Sequence, residues 1–130
     1  MSQAASLVIN DGAATPVAVT YTPFFDATKG IWSFLDKRLG SSALQPGFSV
    51  SFSQATASRP TDKSTIKVFY PKKQTVNGVD VVLAVGRVDK TFTVPGEFDS
   101  SDRANIAALS ANLEDATIIR AIVKDRDPLY

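Results

Sequence analysis

Neither cysteine nor histidine occurs among the 130 residues. Without cysteine there is no disulfide framework and no thiolate chemistry. Without histidine the commonest general base and metal ligand is missing, which excludes serine–histidine triads, cysteine proteases and histidine-ligated zinc. Only carboxylate, lysine or tyrosine chemistry survives. The carboxylates that folding could pair, Asp26 with Asp36 or Asp99 with Asp102, have the sequence context of turns and caps, so neither an enzyme nor a cofactor or metal is expected. No apolar run reaches membrane-spanning length, and Met1-Ser2-Gln3-Ala4-Ala5 lacks the basic and apolar regions of a signal peptide; no membrane partner is expected. What remains is ordinary in bulk. A hydrophobic content of 44% and a charged content of 21% suit one globular domain spanning residues 1–130.

Net charge is also nearly absent, at +1, until it is divided along the chain. Between Arg59 and Lys90 stand seven basic residues (Arg59, Lys63, Lys67, Lys72, Lys73, Arg87, Lys90) against Asp62, Asp80 and Asp89, a local balance of +4 that leaves −3 elsewhere. A basic middle in an acidic frame suggests one surface that meets an anion.

The basic middle contains the most informative stretch, Lys63 to Lys72. Read with period two, Ile66, Val68 and Tyr70 fall on one side and Thr65, Lys67 and Phe69 on the other, with Pro71 expected to close the strand. One face is greasy. The other offers a hydroxyl, an ammonium and an aromatic ring, the groups that hold single-stranded or looped nucleic acid. The neighbours repeat the pattern. Phe48, Val50 and Phe52 alternate with Ser49, Ser51 and Ser53, and Val88, Phe92 and Val94 with Arg87, Asp89, Thr91 and Thr93. A solvated face shows such alternation too, and a structural β module of a surface fibre would carry it without nucleic acid. Small hydroxyls around a few cations leave room for a bulky partner and can bond phosphate, sugar or base edges.

Upstream, residues 5–10 read as a strand turning at Asp11-Gly12 into Val17, Val19 and Tyr21, an N-terminal hairpin within residues 1–22. Pro23 is expected to break that strand, with Ile31 to Leu35 opening the main sheet of residues 31–95. A loop is expected over Lys73, Gln74, Thr75, Val76, Asn77, Gly78, Val79 and Asp80, bent at Asn77-Gly78. The period then changes. Asp99-Ser100-Ser101-Asp102 supplies N-cap oxygens, and Ile106, Leu109 and Leu113, then Ile118, Ile119, Ile122 and Val123, fall at helical spacing over residues 99–124. The fold class is α+β: an N-terminal hairpin, an antiparallel sheet with one bare face, and two C-terminal helices whose stripes cover apolar sheet surface and pack against a second copy.

On these residues the chain resembles the coat protein of the single-stranded RNA bacteriophages, the leviviruses. Thr65-Ile66-Lys67-Val68 ending in Pro71-Lys72, followed by Gln74-Thr75-Val76-Asn77-Gly78-Val79, is the central motif; the Asn10-Asp11-Gly12 hairpin, Gly30-Ile31 and the Pro128, Tyr130 ending support it. The resemblance implies a homodimer formed by edge-to-edge sheets with interlocked helices, built into an icosahedral T=3 shell in the virion after assembly in the bacterial cytoplasm. It implies that the bare face lines the interior and binds a hairpin of the genomic single-stranded RNA, repressing translation and favouring packaging. By position it assigns RNA contacts to Thr65, Lys67, Ser51, Ser53, Asp89 and the pocket-lining Ile31, with Lys63 and Lys72 as flanking basic residues. Ser49 and Arg59 complete the expected RNA surface. Residues 73–80 would form the inter-dimer loop that changes conformation around different symmetry axes. Ile106, Leu109, Leu113, Ile118, Ile119 and Ile122 would form the dimer interface. Arg87 stands where several members have a base-stacking tyrosine, and Ser49, Ala55 and Phe69 replace charged residues of some relatives, so the preferred hairpin would differ.

Overall fold

The computed structural model describes residues 5–10, 18–27, 30–38 and 44–127. The Asp11-Gly12 turn, Val17, Thr28, Lys29 and the Pro128–Tyr130 ending lie outside them. The strands are β1 (Leu7–Asn10), β2 (Ala18–Asp26), β3 (Ile31–Leu35), β4 (Gly47–Ser53), β5 (Thr61–Val76) and β6 (Val79–Pro95). Two helices follow, α1 (Ser100–Asp115) and α2 (Thr117–Lys124). The strands form one six-stranded sheet in the order of the chain, and every register that is resolved is antiparallel. Two compact units are distinguished: Met1–Gln54 with Asp62–Thr93, and Ala55–Thr61 with Val94–Tyr130.

Two prolines expected to stop strands do not. β2 runs through Pro23, which stands opposite Phe34. β1 accompanies β2 only as far as Tyr21, so on that side residue 23 is already at an edge, where a missing N–H costs no ladder bond. Pro71 likewise sits inside β5, beyond Phe69, the last residue that β4 pairs. The loop expected over residues 73–80 is also a correction: only Asn77 and Gly78 leave the ladder. Both have positive φ, 51° and 78°, the backbone of a two-residue hairpin turn, and the β-branched Val76, Val79, Val81 and Val82 carry the strands right up to it. Thr75 Oγ1 donates to Asp80 Oδ1 across the hairpin at 2.7 Å.

β4 opens at Gly47 because a side chain there would collide with the Phe34 carbonyl of β3. Its registers order the sheet into two faces. Tyr21, Phe25, Trp32, Phe34, Phe48, Val50, Ile66 and Val68 share one, with ring centroids 5.1 Å apart for Phe25–Trp32, 5.4 Å for Tyr21–Phe48 and 4.8 Å for the stacked Phe34–Phe48 pair. That face is only half closed. Among the described residues Val19, Phe34, Leu44 and Pro71 are the buried apolar side chains, whereas Phe25, Trp32, Phe52, Val68 and Tyr70 remain exposed.

The second unit carries the helices. Asp99 caps α1 through a reciprocal pair: the Asp102 N–H donates to Asp99 Oδ1 at 2.9 Å and the Asp99 N–H donates to Asp102 Oδ2 at 3.3 Å. Ala116, in extended conformation, separates α1 from α2. Neither helix has a buried residue, and Leu109, Leu113, Ile118, Ile122 and Val123 are all exposed. Apolar surface is left open on both units.

Candidate nucleic-acid interface

The second sheet face is built from cross-strand rows. Ser49 stands opposite Lys67, Ser51 opposite Thr65 and Ser53 opposite Lys63, and directly opposed residues of an antiparallel pair project from the same face. On the other side of β4, Ser49 is opposite Ser33, which is opposite Phe24 of β2. One row thus reads Phe24, Ser33, Ser49, Lys67. The next reads Asp26, Ile31, Ser51, Thr65: Asp26 pairs with Ile31, and alternation along β3 puts Ile31 on the face of Ser33. Strands 4.7–4.9 Å apart make each row about 14 Å wide from β2 to β5.

Side-chain size shapes this surface. Serines on β3 and β4 form a shallow floor, while Lys67 and Lys63 stand exposed along β5. Ser49, Ser51, Thr65 and Ile31 are half-buried, so their polar and apolar atoms line the floor rather than reach into solvent. Two ammonium groups and several hydroxyls on one face can pair with phosphates and donate to or accept from sugar or base edges.

Arg87 and Asp89 lie on β6 and are exposed. The β5–β6 ladder begins at a two-residue turn and reaches a bond from the Gly96 N–H to the Pro60 carbonyl at 3.0 Å. Alternation along β6 puts Arg87 and Asp89 on the same face of that strand, which neighbours β5.

Two expected members are placed elsewhere. Lys72 lines a cleft with Val19, Tyr21, Asp36, Arg38 and Tyr70, residues that do not belong to the hydroxyl rows. Arg59 is half-buried in the β4–β5 connection, where its N–H donates to the Thr56 carbonyl and to Thr56 Oγ1, both at 3.2 Å. In Lys72 the alternation passes to the opposite side, and in Arg59 the residue belongs to a turn, where period-two reasoning has no force. Phe24 is the member of the face that sequence reading missed. It follows Pro23 and precedes Phe25, and two adjacent phenylalanines hide which one points where.

Among the described residues no group of three or more acidic side chains is placed to hold a metal ion, and no helix is long and apolar enough to cross a membrane.

The model of the family described as Levivirus coat protein matches residues 2–130. No curated protein matches the sequence. Among solved structures, the virus-like particle of bacteriophage NT-214 is similar at 25% identity and TM-score 0.86, covering 99% of this chain and 100% of that one. The bacteriophage GA protein capsid is similar at 25% identity and TM-score 0.72, covering 93% and 94%. The virus-like particle of Beihai levi-like virus 21, at 20% identity and TM-score 0.89 over 99% of each chain, shares the fold.

Proposed function

Since the chain belongs to the levivirus coat protein family, we propose that it builds a shell from copies of itself and binds single-stranded genomic RNA on the hydroxyl face of its sheet. Its role is structural and non-enzymatic, as a capsid component of the virion. The finer reading is that two copies join as a homodimer whose shells have T=3 symmetry. A hairpin of the genome docks on Ile31, Ser49, Ser51, Ser53, Lys63, Thr65, Lys67, Arg87 and Asp89, which represses translation and marks that RNA for packaging in the host cytoplasm.

The observation that carries the RNA reading is the register Ser49–Lys67, Ser51–Thr65 and Ser53–Lys63. It gathers three serines, a threonine and two lysines on one surface without an intervening bulky apolar side chain. Lysines supply a sequence-independent attraction to phosphate, and hydroxyls of fixed position supply discrimination between bases. Arg87, planar and charged, can stack on a base and pair with phosphate at once.

The dimer reading rests on surface left open in one copy. Ile106 and Ile119 are half-buried and Leu109, Leu113, Ile118 and Ile122 exposed on the helices, while β6 presents exposed Val79, Val81, Leu83 and Val85 along a sheet edge. A long apolar edge of this kind is a template for another strand. The hairpin of residues 73–80, which turns at Asn77-Gly78, is our candidate for the contact between dimers.

A gel-shift titration with a genomic hairpin tests the RNA site. Lys67→Ala is expected to weaken binding by about 1–3 kcal/mol and to reduce its salt dependence, with shells still forming on non-specific RNA. Unchanged affinity would remove Lys67 from the site.

A further inference from the structure

We propose that Phe24 is a stacking platform for an RNA base at the β2 end of the row that ends in Lys67, an inference that rests on the RNA-binding reading of this face. Phe24 is opposite Ser33, Ser33 opposite Ser49 and Ser49 opposite Lys67, so the ring stands on the hydroxyl face and not on the apolar one. It is 58% exposed. The ring contacts of its neighbours Phe25 and Tyr21 are made to Trp32 and Phe48 on the opposite face. An aromatic ring open beside hydroxyls and ammonium groups has the makeup of a base-stacking platform.

Charge on the same face says what that cover is. The ammonium groups of Lys63 and Lys67 lie on β5, whereas Asp26 lies on β2, one row away from Phe24. Phosphates are drawn to the β5 side, where the two ammonium groups stand. A nucleic-acid segment therefore has phosphates over Lys67 and Lys63 and crosses the serine floor, so that the base of a further nucleotide reaches Phe24. The floor between is low, since Ser33 and Ser49 occupy the two central places of the row. Base stacking on an aromatic ring tolerates any sequence, which suits packaging of a long genome as well as one hairpin.

The test uses the full chain purified free of RNA and a fluorescent single-stranded RNA of mixed sequence. Phe24→Leu is expected to weaken binding about tenfold with its salt dependence unchanged, because a stacking contact is lost and no phosphate contact is. Phe24→Tyr keeps the platform and should bind like the unaltered chain, whereas Lys67→Ala should weaken binding and flatten the salt dependence. In the unaltered chain, RNA carrying 4-thiouridine should cross-link to the peptide containing Phe24. If Phe24→Leu binds as the unaltered chain does while Lys67→Ala is weakened, RNA occupies the face without Phe24 and the proposal is overturned. It is overturned equally if cross-links are confined to peptides of β4 and β5, or if Phe24→Leu impairs only particle formation, which would make the ring a contact between subunits. If the unaltered chain binds no RNA, the reading of the whole face fails and takes this one with it.

Discussion

Asp36 is 1% exposed, the most deeply buried charged residue described, and it is held by one neighbour in sequence. The Arg38 Nε donates to Oδ1 at 2.9 Å and to Oδ2 at 3.0 Å, Nη2 donates to Oδ2 at 2.7 Å, and the Arg38 N–H adds a bond to Oδ1 at 3.1 Å. These bonds from Arg38 hold the carboxyl below its ordinary value against the opposing effect of burial. The folded pKa is thus lower than the unfolded one. Stability from this group is full above the unfolded value of 3.8 and is lost as pH falls through the folded value. Asp36→Asn is expected to cost about 1–3 kcal/mol at neutral pH. The lower end is favoured because the Arg38 side chain is 61% exposed and solvent screens the pair. Denaturation at pH 7 and again near pH 3 checks it: the difference between variant and unaltered protein should shrink in acid, and an equal difference at both pH values would contradict the assignment.

At the scale of elements, the alternation of β4 and β5 was legible because each strand sets serine, threonine or lysine against phenylalanine, valine or isoleucine. The α1 start was legible because Asp99 and Asp102 form a cap that depends only on residues three apart. The continuation of β2 through Pro23 and of β5 through Pro71 was not, since a proline's effect depends on whether a neighbouring strand needs its N–H. Lys72 was assigned to the RNA surface from its place in a motif, but only partner strands fix a side chain's face. The helices point to the next prediction. Leu109, Leu113, Ile118 and Ile122 are exposed, as are Phe25, Trp32 and Phe52 of the sheet, and we propose that a second copy brings these two sets together. Truncation after Pro95 removes one set and strands the other. It should yield no soluble dimer, and a soluble dimeric truncation in size-exclusion chromatography would contradict the helices' part in dimer formation.

The whole molecule shows the same incompleteness in its surface. Each of its two units leaves large apolar side chains exposed, Phe25, Trp32 and Phe52 on one and Leu109, Leu113 and Ile118 on the other. Among the described residues Val19, Phe34, Leu44 and Pro71 are the buried apolar side chains, a sparse core of the kind expected where association completes folding. Family and fold could be read from one central motif and its flanking strands. The depth of dependence on other copies could not, because apolar stripes look alike in sequence whether their own chain or another covers them.

Electron cryomicroscopy of the expressed protein, at a resolution that traces side chains, decides whether the hydroxyl face meets RNA inside a shell. Closed shells are expected in which Ser49, Ser51, Thr65 and Lys67 face the interior against RNA density, with the aromatic face of each sheet covered by helices of another copy. Shells in which those four residues face outward, or are covered by protein, would contradict it.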